Sequence, residues 1–163
     1  MPISEDEFKN CMGAWPSGVT VVTSRYQDRI HGMTVSDFSG ASLSPPLAVI
    51  LANRESITTE MIAQGKCFAV NILAADQQEL SNRFASKKLE HVRFEGVDYD
   101  TGETGAPLVR GAVANLDCSL HATYEAGDHL IYVGLIESAR VLPGEPLIYW
   151  NGRYCGVKSE PEG

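Results

Sequence analysis

Between residues 108 and 157 the chain offers little except strand, and this constrains its fold more than any other feature. Ala112 to Tyr124 and His129 to Leu142 are two long runs, and Ile131, Val133, Leu135 and Val141 alternate over much of the second. A period of two places successive side chains on opposite faces of a sheet. Glu125-Ala-Gly-Asp128 between the runs reads as a turn, so they fold back antiparallel. Pro143-Gly-Glu-Pro146 turns the chain again, and Asn151-Gly152 joins Leu147–Trp150 to Arg153–Val157 as a type I′ hairpin.

The first two thirds supply more strands and the helices to cover them. Ser4 with Glu7 forms a capping box, and Phe8, Cys11 and Met12 recur at helical spacing up to Gly13. Trp15-Pro-Ser-Gly18 breaks the chain before the β-branched strand Val19–Thr23. The polar stretch Ser24 to Arg29 turns into a second strand, Ile30–Val35, and Leu47–Ala52 is a short apolar run that fits a buried strand. Ser56 is placed to cap a helix whose Ile57, Met61 and Ile62 share a face before Gly65. Cys67–Leu73 is the next strand, and Asp76 with Glu79 three residues on suggests the start of a helix carrying Leu80 and Phe84. Residues Lys87 to Pro107 show no periodicity and read as a long loop, a candidate lid. Helices among early strands, followed by hairpins, predict a mainly β fold with flanking helices, an antiparallel barrel. With 163 residues and no internal repeat or linker, one domain over 1–158 and a flexible tail over 159–163 are expected.

Several functions are excluded early. A net charge of −8 argues against a sequence-independent hold on nucleic acid and against anionic membranes. The acidic N-terminus lacks the basic and apolar regions of a signal peptide, and no apolar run reaches membrane-spanning length, so a soluble, cytoplasmic protein is expected. Cys11, Cys67, Cys118 and Cys155 lack metal-ligand spacing and read as reduced, mostly buried thiols; no metal site is expected. No Gly-x-Gly-x-x-Gly stands between a strand and a helix, and neither a Gly-x-Ser-x-Gly nor a Walker sequence occurs.

Four places could carry chemistry. From Gly32 to Pro46 the chain holds five hydroxyls within eleven residues, Thr34, Ser36, Ser39, Ser42 and Ser44. Such a segment can line a polar small molecule, although an edge strand running into a Ser-rich loop explains the stretch taken alone. At Asn53-Arg54-Glu55-Ser56-Ile57-Thr58, a helix start gathers free N–H groups that Arg54 and Thr58 would complete as a phosphate site; ordinary capping explains Ser56 equally well. Arg83 on the later helix is either a solvated charge, which its surroundings favour, or a second clamp for an anion. His129 opens a strand after a turn, a position usual for a water-satisfied surface histidine.

Several stretches, in order, resemble the short-chain flavin reductase family, the NAD(P)H-dependent reductase components of two-component flavin monooxygenases. They are Trp15-Pro-Ser-Gly-Val-Thr-Val-Val-Thr23, Gly32-Met-Thr-Val-Ser36 through Ser42-Leu-Ser-Pro-Pro46, Phe68-Ala-Val-Asn-Ile-Leu73, Leu80-Ser-Asn-Arg-Phe-Ala85, Gly127-Asp-His129 and Glu145-Pro-Leu-Ile-Tyr149. The resemblance implies a Greek-key split β-barrel of the FMN-binding type, a homodimer with flavin near the subunit interface, and hydride transfer from NADH or NADPH to FMN or FAD. Reduced flavin would then serve a separate monooxygenase component. It implies contacts from Thr34, Val35, Ser36, Asp37 and Ser42 to the isoalloxazine ring and ribityl chain. Asn53, Ser56 and Thr58, with Arg54, would meet the phosphate, and Arg83 and Phe84 would lie on the helix that closes over the flavin. His129 would sit beside nicotinamide as the catalytic or orienting residue, with Ser17 and Tyr149 as further nicotinamide contacts. Gly40-Ala41 stand where Ser-Val is common before Ser42, which removes one hydroxyl from this wall. A non-enzymatic flavin carrier or sensor, and a flavin-free interaction domain, are the alternatives on the same fold.

Overall fold

The computed structural model describes residues 2–158 and Glu160. The expected tail from 159 to 163 lies, apart from Glu160, outside the described residues. Helix α1 (Glu5–Gly13) begins at the capping box: Ser4 Oγ accepts from Glu7 N at 3.2 Å, and the Glu7 carboxylate accepts from Ser4 N at 2.9 Å. That bond pattern holds the Glu7 carboxyl below its usual pKa. Strand β1 (Ser17–Gly18) follows, then β2 (Thr20–Tyr26), β3 (Arg29–Val35), β4 (Phe38–Ser42) and β5 (Leu47–Asn53). Next come α2 (Ile57–Gly65), β6 (Cys67–Ile72), α3 (Gln78–Ala85) and a 3-10 helix, Lys87–Val92. The chain ends in β7 (Tyr99–Thr101), β8 (Pro107–Val109), β9 (Ala114–Ala126), β10 (His129–Val141), β11 (Ile148–Trp150) and β12 (Arg153–Cys155).

Seven strands form one antiparallel sheet in the order β3-β2-β6-β9-β10-β5-β4, with β1-β11-β12 and β7-β8 as smaller sheets. The mainly β fold with few helices therefore forms as expected. Strands β3 and β4 are the two edges of the large sheet, yet only Ser36 and Asp37 separate them in sequence. Three virtual bonds of about 3.8 Å can bridge that distance only if the sheet curls strongly. Among the described residues no ladder joins β3 to β4.

The strand patterns follow from burial. On β5, Ala48, Ile50 and Ala52 are buried while Val49 and Leu51 face outward, the alternation of a one-sided strand. Central β6 is covered on both faces and has no polar alternation: Phe68 and Val70 join Val22, Met33, Ile50 and Tyr132, while Cys67 and Ala69 pack against Ala106 and Leu108. The one polar residue there, Asn71, is fully buried and saturated. Its Nδ2 donates to Val21 O at 2.9 Å, and its Oδ1 accepts from Val109 N at 2.8 Å and Asn115 Nδ2 at 2.6 Å.

The structure corrects several local expectations. The Ser24–Arg29 turn shrinks to Gln27-Asp28, because Ser24 is buried in β2 with its hydroxyl on Cys67 O, and Arg25 Nε donates to Gly105 O. Turn 125–128 likewise shrinks to Gly127-Asp128, with Gly127 at φ 63°. The hairpin at Asn151-Gly152 takes φ of 50° and 77°, as type I′ requires. Helix α2 includes Gly65, and Lys66 takes the left-handed cap at φ 56°; Gly65 is small because its Cα abuts the Arg25 backbone. Asp76 does not cap α3. The cap is Gln77, whose side chain instead accepts from Ala74 N and donates to Arg110 O.

The 87–107 stretch is no free loop. Buried Arg93 donates to Gly32 O at 2.8 Å and Ser86 O at 3.0 Å, and Phe94 meets Phe84 edge-on with centroids 5.1 Å apart. The four cysteines are unpaired, but only Cys67 and Cys118 are buried; Cys11 is exposed on α1.

Candidate functional site

The site begins with the free edge of β3. Pairing with β2 leaves its other side without a neighbouring strand, and α3 with the 3-10 helix lies along it. Thr34 Oγ1 donates to Ser81 O on α3 at 2.6 Å, which pins helix to strand. Gly32 lies directly beneath Phe84: a Cβ built there would stand 2.8 Å from the ring. Phe84 is fully buried with Val19, Val21, Leu73 and Leu147. It therefore sets the height of α3 above β3.

Where β3 leaves the sheet, two adjoining hollows open. A cleft of about 850 Å³ is lined by Ser17, Ser36, Asp37, Leu51 and Tyr149 on the sheet side and by Phe8, Met12 and Trp15 from α1 and its exit. A smaller hollow of about 410 Å³ is lined by Thr34, Ser36, Ser81, Asn82, Tyr149 and Tyr154. Ser36 and Tyr149 belong to both, so the two are one continuous surface. Largely apolar walls with a few convergent polar groups, in this size range, suit a ring-bearing small molecule. The polar end is ordered: Ser81 Oγ donates to the Tyr154 hydroxyl at 2.9 Å, which donates to Asn82 Oδ1 at 2.8 Å. Tyr154 also meets Tyr149 edge-on at 5.3 Å between centroids.

Of the residues singled out from sequence, the structure brings Ser17, Thr34, Ser36, Asp37 and Tyr149 together around these hollows. Ser17 and Tyr149 face each other in the β1–β11 register. Val35 is buried in the core beside them. Ser42 is exposed on β4, opposite Leu47. Phe84 lies behind the wall rather than on it, and Arg83, on the far side of α3, donates to Glu95 O at 2.6 Å in a separate groove.

A second group gathers at the start of α2. Ser56 caps it, accepting from Thr58 N at 3.2 Å and donating to Met33 Sδ at 3.2 Å. Asn53 Oδ1 accepts from Glu55 N at 2.9 Å, and Arg54 Nη1 lies 3.4 Å from Glu125 Oε1. Thr58 is fully buried, with Oγ1 2.8 Å from His31 Nδ1. Because His31 Nε2 faces the Glu90 carbonyl at 3.1 Å, the proton sits on Nε2 and Thr58 donates to Nδ1. Burial lowers the His31 pKa.

His129 pairs with Asn53 across β10 and β5, so it stands beside this second group and outside the larger cleft. Leu51, two residues back on the same outward face, lines the cleft. His129 Nδ1 donates to Asp128 Oδ1 at 2.7 Å, and that hydrogen bond holds the Asp128 carboxyl below its usual range. In the neutral ring this leaves Nε2 as an acceptor.

Sequence reasoning missed Phe8, Met12, Trp15, Asn82 and Tyr154 as lining residues. Tyr154 was accessible in principle, because a two-residue turn at Asn151-Gly152 places it opposite Tyr149. The α1 contribution carried no such signal, since nothing in the helix specifies where it docks.

A hydroxyl-lined strand edge beside an open cleft on a mainly β scaffold defines a protein built to hold a small ring-bearing ligand. Residues 12–158 match the family profile of the flavin reductase like domain. The chain is 37% identical over 161 residues to an NADH-dependent FAD reductase from Streptomyces globisporus, covering 94% of this chain and 86% of that protein. It is 31% identical over 156 residues to the flavin-dependent monooxygenase reductase subunit HsaB of Mycobacterium tuberculosis, covering 94% and 82%. The Streptomyces globisporus C-1027 NADH:FAD oxidoreductase SgcE6, solved in complex with NAD and FAD fragments, aligns with a TM-score of 0.90 and 33% identity over 99% of this chain and 100% of that one. The chain belongs to the flavin reductase like family.

Proposed function

We propose that this protein is an NAD(P)H-dependent flavin oxidoreductase, which reduces FMN or FAD with NADH or NADPH and releases reduced flavin to a separate monooxygenase component. The observation that carries this reading is the match of nearly the whole chain to flavin reductases together with the shared hollow at Thr34, Ser36 and Tyr149. The residues present fit a flavin: hydroxyls at Thr34 and Ser36, the Asp37 carboxylate and the Asn82 amide offer both donors and acceptors to a heterocycle.

Bound flavin would supply the chemistry by accepting hydride from nicotinamide stacked upon it, with reacting atoms about 3–3.5 Å apart. The chain's own residues orient and shield. Ser36 and Asp37 hold ring polar groups at the end of β3, and Val35 packs the strand from below. Ser42 reaches the same ligand from β4. Tyr149 and Ser17, facing each other across β1–β11, hold the nicotinamide nucleotide. Phe8, Met12 and Trp15 exclude water on the open side. His129, its Nδ1 tied to Asp128, presents Nε2 to orient the nicotinamide. Asn53, Ser56 and Thr58 shape the start of α2 near the flavin phosphate, and Arg83 and Phe84 keep α3 in place over the ligand.

The curled sheet, whose edges are joined through Ser36-Asp37, supports a split β-barrel of Greek-key type for the domain over 1–158. A homodimer is supported by an outward apolar stripe, Leu47, Val49, Leu51, Ile131, Val133 and Leu135, continuous with His129 and Asn53, and by the exposed Phe8 and Met12 of α1. Apolar stripes of this kind mark interaction surfaces. Among the described residues no helix is long and apolar enough to cross a membrane, which is consistent with a cytoplasmic place beside a soluble oxygenase.

Anaerobic mixing of the protein with NADH or NADPH and FMN or FAD tests the activity. Loss of flavin absorbance is expected for at least one pairing. Tight flavin binding without bleaching would favour a carrier or sensor, and no binding at all would refute the flavin reading. Sedimentation at micromolar concentration tests the dimer.

A further inference from the structure

We infer that Tyr154 is a positioning residue for flavin reduction: it holds the Asn82 side chain so that the amide nitrogen is presented to the ring hollow and donates to the pyrimidine half of the flavin. The inference rests on the flavin reading above and gives roles to two residues to which the resemblance assigns none.

The first observation is the direction of the hydrogen bonds. The Tyr154 hydroxyl has one proton, and it goes to Asn82 Oδ1 at 2.8 Å. Ser81 Oγ, 2.9 Å away, is therefore the donor to Tyr154. Ser81 is itself fixed, buried in α3 with its carbonyl accepting from Thr34 Oγ1 at 2.6 Å. With Oδ1 turned to the tyrosine, the amide nitrogen is the group that Asn82 presents to a ligand, and among the described residues it has no partner.

The second is placement. Asn82 is exposed and borders both the ring hollow and the groove on the far side of α3, so an untethered side chain could turn either way. Of these two hollows Tyr154 lines only the first, and its bond keeps Asn82 on that side. The tether is stiff. Tyr154 packs against the cluster of Phe84 and Leu147, stands opposite Tyr149 in the β11–β12 register and meets it edge-on at 5.3 Å.

The third is the chemistry of the ring. The dimethylbenzene half of an isoalloxazine carries no polar atom, so a wall of hydroxyls and an amide suits the pyrimidine half. Hydride leaves nicotinamide C4 with both electrons and forms the N5–H bond; the nicotinamide is oxidised, and the flavin becomes an anion with its charge spread over N1 and the C2 carbonyl. A donor at that edge makes an ordinary hydrogen bond to oxidised flavin and a charge-assisted one to reduced flavin, so it favours the reduced form. A donor aimed at N5 would do the opposite, because it would face the new N–H.

Anaerobic ultrafiltration of the full chain with oxidised and with dithionite-reduced FMN, and with FAD in parallel, gives the ratio of the two dissociation constants. Asn82→Ala is expected to weaken binding of reduced flavin about five- to tenfold more than that of oxidised flavin, a fall of about 20–30 mV in the potential of the bound two-electron couple. Tyr154→Phe should shift the ratio in the same direction. Tyr154→Phe/Asn82→Ala should shift it no further than Asn82→Ala alone, because the tyrosine acts through the amide. A packing role would instead weaken both redox forms together. An unchanged ratio in Asn82→Ala, an exposed position where truncation spares the core, would overturn the inference, as would a shift of opposite sign. A Tyr154→Phe protein with an unchanged ratio, or with an effect fully additive to that of Asn82→Ala, would also overturn it. If the wild type binds neither redox form of either flavin, the flavin reading fails and the inference falls with it; normal wild-type binding with unchanged variant ratios refutes the inference alone.

Discussion

Gly32→Ala is the most informative small change available, because it tests whether the spacing between β3 and α3 is set by one contact. The added methyl carbon would stand 2.8 and 3.0 Å from two carbons of the Phe84 ring and 3.1 Å from Val22 O. Ordinary carbon contacts need about 3.5–4.0 Å, so something must retreat by about 0.7 Å. The Val22 carbonyl belongs to the β2–β3 hairpin, where Val22 faces Met33, and cannot yield without breaking the register. Phe84 is fully buried against Val19, Leu73 and Phe94, so its ring can move only by taking α3 with it. Overpacking of this kind costs about 1–3 kcal/mol, offset by about 0.4–1 kcal/mol from the stiffer unfolded chain. A net loss of about 1 kcal/mol corresponds to roughly 2–4 °C in melting temperature for a domain of this size. Phe84→Leu should relieve the clash. Its own truncation costs about 1–2 kcal/mol, yet the double variant should be more stable than the sum of the singles by about 0.5 kcal/mol or more. Urea unfolding of the four proteins closes the cycle. Additivity within about 0.3 kcal/mol, or a Gly32→Ala protein as stable as the wild type, would refute the reasoning.

Three further outcomes are expected. His129→Ala should slow hydride transfer more than it weakens flavin binding, as read by anaerobic stopped flow beside a binding titration; an unchanged rate would remove His129 from the mechanism. Because burial lowers the pKa of His31 in the folded chain, its neutral form is fully compatible with folding above about pH 6.5, and stability is lost as pH falls below that value, where the unfolded chain takes up a proton that the folded one resists. The drop in urea midpoint between pH 7.5 and 5.5 should be smaller in His31→Gln, and an equal drop would discount this histidine. Burial pushes the Cys118 thiol up to about 12, whereas Cys11 is exposed, so a thiol reagent at pH 8 should label Cys11 first and reach Cys118 only on unfolding. Peptide mapping that finds Cys118 labelled early would contradict the packing.

Most of the scaffold was legible because its signals are local. The period of two on β10, the Asn151-Gly152 turn, the capping box at Ser4 and the N-cap at Ser56 each depend on residues within a few positions of one another. The misread elements depend on partners distant in sequence. Ser24 looks like a turn residue until Cys67 O accepts its hydroxyl, and Gly65 looks like the residue just past its helix until the Arg25 backbone arrives beside it. Asp76 has the right chemistry for a cap, but Gln77 is held by Arg110 O thirty-three residues away and determines where α3 starts. The 87–107 stretch has no period of its own because its order comes from single anchors, Arg93 on Gly32 and Phe94 on Phe84.

The candidate site divides along the same line. Ser36 and Thr34 lie at the end of an edge strand, and a period-two argument suffices to place their hydroxyls near α3. A cation is different, since a long side chain can face either way and its role depends on which neighbours neutralise it. Arg54 stands closest in sequence to the capped helix, and proximity favours it as a phosphate ligand. Yet β9 and β10 form a hairpin whose end carries Glu125 to within 3.4 Å of it, so its charge is already compensated. Arg29, the first residue of β3, and Lys87, which opens the 3-10 helix, lie far from the motif in sequence and line one hollow with Ile57, where Glu90 is the one carboxylate. The charge that a ligand can use is the one the fold leaves uncompensated, and that depends on strand pairing rather than on distance along the chain.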